Sequence, residues 1–223
     1  MATIAIVGGA GQIARLVHPK LIHAGHQPRA LVRRQEQADE LERSGVETRL
    51  FDLENDDDEA LRAALEGADA VVFAAGGGPD GNADRKRTVD LEGSIRSAQA
   101  AEALGIARFV QVSAIGVDEP LGDDVEPVWR VYVEAKRDAD DHLRKTSLSW
   151  TILRPGKLTD DEGTGHVTLG VDVAKGDVTR DDVAAVIAAV VDDGRSVRQQ
   201  WDVVGGTTPV IEAVGEATAG QDL

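Results

Sequence analysis

The chain's single tyrosine, Tyr132, stands four residues before Lys136 in the stretch Tyr132-Val-Glu-Ala-Lys136. On a helix that spacing puts both side chains on one face, where an ammonium lowers the pKa of a phenol and also reaches a sugar hydroxyl. The chemistry this suits is proton delivery, with the phenol protonating a carbonyl oxygen while a hydride attacks the carbonyl carbon. The bland alternative is a half-buried aromatic beside a solvent-facing lysine. Ser113 offers a third group, a hydroxyl that either polarises the same substrate oxygen or bonds its own backbone.

A hydride donor needs a seat. Residues 3–14, Thr-Ile-Ala-Ile-Val-Gly-Gly-Ala-Gly-Gln-Ile-Ala, read as strand, glycine turn and helix start. Ile4, Ala5, Ile6 and Val7 form an apolar run without polar alternation, as in a parallel strand covered on both faces. Gly8, Gly9 and Gly11 free the backbone and clear a path to the amides of a helix N-terminus, which favours phosphate. From Gly9 the letters fit G-x-G-x-x-A and from Gly8 they fit G-x-x-G-x-x-A, both dinucleotide patterns. At the end of the second strand an NAD site places a carboxylate against the ribose, whereas a 2'-phosphate requires cations. Arg33 and Arg34 stand there, so NADP is favoured and NAD is the other possibility. The competing reading makes them the exposed opening of a helix. Asp52, after the third strand, fits an adenine acceptor and a turn residue equally.

Apolar runs at 28–32, 46–51, 69–75, 107–113 and 149–154 read as further strands. They alternate with helical patterns at 36–44, 56–66, 85–104 and 129–145, which predicts an α/β fold with a doubly wound parallel sheet of Rossmann type. Each loop singled out then lies at a strand's carboxyl end, where such sheets bind ligands. Gly76-Gly77-Gly78-Pro79 follows the fourth strand as a mobile loop. Arg85-Lys86-Arg87 opens the long helix, as a solvated face or as cations meeting a phosphate or an acidic substrate across that loop. Beyond Pro155 the regularity breaks: a short strand at 167–171, a helix to 191 opened by a capping-box-like Thr179 and Asp182, a strand at 199–204 and a helix at 209–217. The expectation is one NAD(P)-binding domain over 1–223, with a cofactor core at about 1–155 and a small pocket-forming portion at about 156–223.

The 223 residues, 42% of them hydrophobic, suffice for one sizeable core. A net charge of -16, from 40 acidic and 24 basic residues, argues against nucleic acid or an anionic membrane as partner. The absence of cysteine removes disulfides and thiolate metal sites and fits a cytoplasmic protein. The apolar run at 183–191 is too short to span a bilayer, and no basic region precedes the first apolar run as in a signal peptide. His18, His23 and His26 do not converge on one metal and are expected to face solvent, so no metal site is expected. The expected partner is a small-molecule substrate, with monomer and homodimer both open.

Together these segments resemble the atypical branch of the short-chain dehydrogenase/reductase superfamily, in the NAD(P)-binding group related to biliverdin/flavin reductases and NADP-sensing regulators. The matching stretches are Val7-Gly-Gly-Ala-Gly-Gln-Ile-Ala14, Leu31-Val-Arg-Arg34, Asp52-Leu53, Phe73-Ala-Ala-Gly76, Val112-Ser113, Tyr132 with Lys136, and Thr151-Ile-Leu-Arg-Pro-Gly-Lys-Leu158. The resemblance implies a cofactor site of Gly8, Gly11, Gln12, Ile13, Arg33, Arg34, Asp52, Leu53, Ala74, Ala75, Gly76, Lys136, Pro155, Gly156, Lys157 and Leu158, the last four near nicotinamide. It implies catalysis by Tyr132, Lys136 and Ser113. Two departures stand out: Ala114 follows Ser113 where many relatives carry a second serine, and the spacing from Ser113 to Tyr132 is longer than in typical members. The expected function is an NAD(P)H-dependent oxidoreductase, an NADPH-preferring reductase of a small carbonyl, quinone or flavin-like substrate. The alternatives are a non-catalytic NADP(H) redox sensor and an NAD-dependent epimerase/dehydratase, for which the region after Pro155 leaves little room.

Overall fold

A computed structural model describes residues 1–78 and 81–219; Pro79, the end of the glycine-rich loop, lies outside the described residues. β1 (Thr3–Val7) runs through the middle of the sheet, and its side chains alternate between two cores. Ile4 and Ile6 join one apolar cluster, while Ala5 and Val7 join the cluster on the opposite face. That two-sided burial is why the strand carries no polar residue after Thr3.

From β1, α1 (Gln12–His23) returns the chain to β2 (Gln27–Val32), α2 (Gln35–Glu42) to β3 (Glu47–Leu50) and α3 (Asp58–Leu65) to β4 (Ala70–Phe73). A short α4 (Ala83–Arg85), a π-helical stretch (Lys86–Glu92) and α5 (Gly93–Leu104) lead to β5 (Arg108–Val112). α6 (Pro127–Arg144) and β6 (Ser149–Pro155) follow, then β7 (Lys157–Thr159), β8 (His166–Gly170) and β9 (Asp177–Thr179). The chain closes with α7 (Arg180–Val190), a 3-10 turn (Gly194–Ser196), β10 (Gln199–Gly205), β11 (Thr208–Pro209) and α8 (Val210–Ala219).

The main sheet has nine strands in the order β11-β8-β10-β6-β5-β4-β1-β2-β3. From β3 to β10 all neighbours are parallel, and β8 and β11 add an antiparallel edge. β7 and β9 form a separate parallel pair. Val17 and Leu21 of α1 pack with Val183, Ile187 and Val190 of α7 on one face, while Leu61 and Leu65 of α3 meet Ala98 and Ala101 of α5 on the other. The predicted doubly wound sheet is therefore present. The single helix read at 85–104 is instead three segments, because a π-helical stretch interrupts it. β7 and β9 carry too few residues for a period to register, and β11 occupies the start of the helix read at 209–217. Among the described residues no helix is long and apolar enough to cross a membrane.

Arg108, at the entry to β5, ties the C-terminal half to the sheet. It donates to the carbonyls of Val190 and Val191 at the end of α7, to the Ser149 carbonyl and to the hydroxyls of Thr151 and Ser196. Burial brings its pKa down to about 10, against the opposing pull of Asp193 and Asp192, so it stays charged at neutral pH. The cation thus satisfies carbonyls that a helix C-terminus leaves open. Arg108→Leu is expected to cost about 3 kcal/mol in urea unfolding, since several buried acceptors lose their donor at once. Arg108 lies at the sheet's opposite end from the groove described below, so cofactor affinity of the folded variant should not change.

Candidate functional site

Strand order reverses between β1 and β4, and a groove of about 250 Å³ opens there at the carboxyl ends of the strands. Its floor is the glycine turn. Gly8 has φ +80°, and a Cβ on it would lie 2.6 Å from the Ala75 Cα, so only glycine lets the turns after β1 and β4 touch. The Gly11 amide donates to the Gly8 carbonyl at 2.8 Å, and Gly11 then caps α1 without a side chain. The first-turn amides, those of Gln12 and Ile13 among them, have no partner within the helix and make an anion seat.

His18 supports this turn from below. Its Nε2 lies 2.8 Å from the Gly9 carbonyl, which can only accept, so Nε2 carries the hydrogen. His18 is 2% exposed, which corrects the expectation that it faces solvent. Its position beside Val17 and Leu21 on the inward side of α1 accounts for this. Arg15 adds a second brace, donating to the Ala10 carbonyl and gripping both Glu40 carboxylate oxygens.

Of the cofactor residues expected from sequence, Gly8, Gly11, Arg33, Asp52, Leu53, Ala74, Ala75 and Gly76 line the groove. Arg33 is exposed at its edge, and among the described residues it forms no salt bridge, although its charge reaches Asp52. Arg34 does not line the groove and is instead the N-cap position of α2. Asp52 has its oxygens engaged by the Glu54 amide and the Asn55 side chain. Burial opposes its ionisation, but those bonds and Arg33 outweigh it and hold the carboxyl below its ordinary value.

Sequence reading missed Gln37, Phe51, Glu54 and Val89 as lining residues; of its two readings for Arg85, a solvated face or a cation facing the loop after β4, the structure has Arg85 lining the groove, paired to Glu54 at 3.2 Å. Leu53 is held from behind. Arg96 donates to its carbonyl, and a Cβ on Gly93 would come within 2.4 Å of its side chain. Pro155, Gly156, Lys157 and Leu158 form the turn from β6 into β7 and do not line the groove.

The other half of the site is built on α6. Glu126 accepts from the Trp129 amide, and Pro127 starts the helix, so its first turn is fixed. Tyr132, Lys136 and Asp140 then recur at four-residue spacing along one side. The Lys136 ammonium lies 3.0 Å from Asp90 Oδ1 and donates to the Val112 carbonyl at 3.1 Å. A third hydrogen remains. Burial alone would lower the Lys136 pKa, yet Asp90 and its neighbours outweigh that and raise it.

Asp90, 1% exposed on the π-helical stretch, also accepts from the Gly77 amide at 2.9 Å. One carboxylate thus joins Lys136 to the loop after β4. Tyr132 departs from expectation. Burial raises its pKa, Lys136 lowers it by less, and Asp90 and Asp140 raise it further, so the net shift is upward.

Ser113 departs as well. Its hydroxyl donates inward to Asp140 Oδ2 at 2.8 Å, so in this arrangement its proton is not aimed at a substrate oxygen. Asp140 also accepts from Gln111 and Arg154, and Arg154 reaches Asp118 at 2.6 Å. Burial raises the Asp140 pKa against Arg154 and these bonds. Nothing in Val112-Ser113 discloses this network, because its acceptor is 27 residues away. The one available signal was the four-residue step from Lys136 to Asp140.

A parallel sheet reversing at a glycine turn, with an anion seat on one side and a tyrosine-lysine pair on the other, defines a Rossmann-type dinucleotide-binding protein. The chain belongs to the NAD(P)H-binding family whose model matches residues 8–194. It is similar to the Bacillus subtilis (strain 168) protein YhfK, described as an uncharacterized sugar epimerase, at 37% identity over 94% of this chain and 97% of that one. Among solved structures, a Bacillus halodurans protein provisionally named an NAD-dependent epimerase/dehydratase is 39% identical, with a TM-score of 0.89 over 97% of this chain and all of that one. The Lactococcus lactis oxidoreductase ylbE is 29% identical, with a TM-score of 0.84 over 96% of this chain and 95% of that one.

His18 makes the cradle sensitive to acid. Burial depresses its folded pKa below the ordinary 6.5, and the Gly9 bond only partly opposes this. Its contribution to stability is therefore complete above pH 6.5 and is lost as pH falls from there through the depressed value. Between pH 7 and 5 the unfolding free energy should drop by up to about 1.4 kcal/mol per unit more in wild type than in His18→Gln, whose amide keeps the donor and does not titrate. Denaturant melts at a series of pH values check this.

Proposed function

We propose that this chain is an NADPH-preferring reductase acting on a small carbonyl, quinone or flavin-like acceptor. The observation that carries the reading is the pairing, at the carboxyl ends of the strands, of a dinucleotide groove edged by Arg33, which forms no salt bridge among the described residues, with Tyr132 one helical turn from a buried, charged Lys136. The residues present fit the cofactor. First-turn amides of α1 would hold the pyrophosphate, the Arg33 guanidinium a 2'-phosphate, and the remaining Lys136 hydrogen a ribose hydroxyl.

When bound, the cofactor supplies a hydride to the acceptor carbon and leaves oxidised. The chain supplies the proton. With its pKa raised, the Tyr132 phenol is fully protonated at neutral pH, and it gives that proton to the acceptor oxygen. The resulting phenolate is stabilised by the adjacent ammonium and takes a proton back from water. Asp90 holds Lys136 in place by its ion pair and fixes the loop after β4 through Gly77.

The test is NADPH oxidation over a panel of quinones, flavins, aliphatic carbonyls and sugar nucleotides. Tyr132→Phe should lower kcat on the active acceptor by roughly 10²- to 10⁴-fold, and unchanged turnover would remove the mechanism. Arg33→Ala should weaken NADP by roughly 10- to 100-fold in titration calorimetry and leave NAD unaltered. Tighter NAD binding by wild type would overturn the preference.

A second reading comes from the epimerase descriptions of the two Bacillus relatives. Interconversion of a sugar nucleotide with no net loss of reduced cofactor would favour it. Tight cofactor binding with no turnover at all would point to a redox sensor.

A further inference from the structure

The chain has three tryptophans, three phenylalanines and one tyrosine. Phe51, Phe73, Phe109, Trp150 and Trp201 are all buried. Trp129 is not: it is 54% exposed on the first turn of α6, and its ring lies 5.2 Å from that of Tyr132 at a 36° tilt. A large indole left in water beside the Tyr132 phenol is out of keeping with the other tryptophans and the phenylalanines, which all lie in the cores.

Lys86 approaches the same tyrosine, its Nζ 5.6 Å from the ring centroid. It comes from the Arg85-Lys86-Arg87 run and is 8% exposed, with its ammonium bonded to the Gly78 carbonyl across the glycine loop. An ammonium has three hydrogens, and that carbonyl takes one. In a chain of net charge -16, a cation held at this spot is a local exception to a field that repels anions.

We propose that Trp129 and Lys86 select the acceptor, which is a flat conjugated molecule bearing an anionic group. It stacks on the Trp129 indole with its anion toward Lys86, and this presents its reducible carbonyl to Tyr132. The proposal rests on the reductase reading for what happens next, but the recognition is independent of turnover.

Calorimetry on NADP-saturated protein can therefore use inert probes: naphthalene-2-sulfonate, flat and charged; 2-naphthol, flat and neutral; cyclohexanesulfonate, charged and not flat. Naphthalene-2-sulfonate should bind roughly 5- to 10-fold more tightly than either of the others. Trp129→Ala should weaken both naphthalenes by a similar factor, and Trp129→Phe should restore most of the loss. Lys86→Met should weaken both sulfonates and leave naphthol unchanged, bringing the naphthalenesulfonate to the level of naphthol, and Lys86→Arg should retain it. Equal binding of the three probes, or equal losses in Trp129→Ala and Trp129→Phe, would overturn the proposal. NADPH oxidation assayed alongside separates the two ideas. The expected probe pattern without oxidation of any acceptor removes the reductase reading and leaves the recognition standing. Oxidation with indifferent probe binding removes the recognition alone.

Discussion

Asp90 and Lys136 are tolerable in the protein interior only as a pair. Each is nearly stripped of water, and an isolated charge at either position would cost several kcal/mol. Their contact joins two segments far apart in the chain, the π-helical stretch and α6. Because the second Asp90 oxygen accepts from Gly77, the loop after β4 is held by the same carboxylate. The loop beside the groove and the charge of the ammonium thus both depend on one side chain. The π-helical winding fits this role, since such local insertions are frequent at functional sites.

Burial is the main reason why Tyr132 is not the acidic phenol that a neighbouring lysine suggests. It raises the phenol's pKa by more than Lys136 lowers it, and Asp90 and Asp140 further offset the lysine's charge. A phenol so placed is a reluctant anion and a reliable holder of its proton at neutral pH. In the proposed reduction, that suits a group that gives the proton up only when an oxygen beside it gains negative charge.

The sheet was legible in the sequence because its signals are local. A glycine turn after an unbroken apolar run, and strands alternating with helices, need only neighbouring residues to be read. Much of the groove was legible for the same reason, since Gly8, Arg33, Asp52 and Ala75 lie at strand ends. What escaped was set by distant partners. Ser113 turns inward because Asp140 lies behind it, His18 is buried because α1 faces the core there, and Asp90 gains its meaning from Lys136 and Gly77. Arg34 was included with Arg33 by adjacency alone, yet the chain is extended there and only Arg33 meets the groove.

Gly93 stands behind Leu53, and a methyl group in its place would overlap that side chain. Leu53 is a wall of the groove, and Arg96 pins its backbone, so a displaced side chain has mainly the groove to move into. The missing methyl at Gly93 therefore acts as a depth gauge for the site. A residue outside the lining thus sets how far one wall stands in, and a lineage or an engineer could retune the width of the groove from the back of that wall, leaving every lining residue as it was.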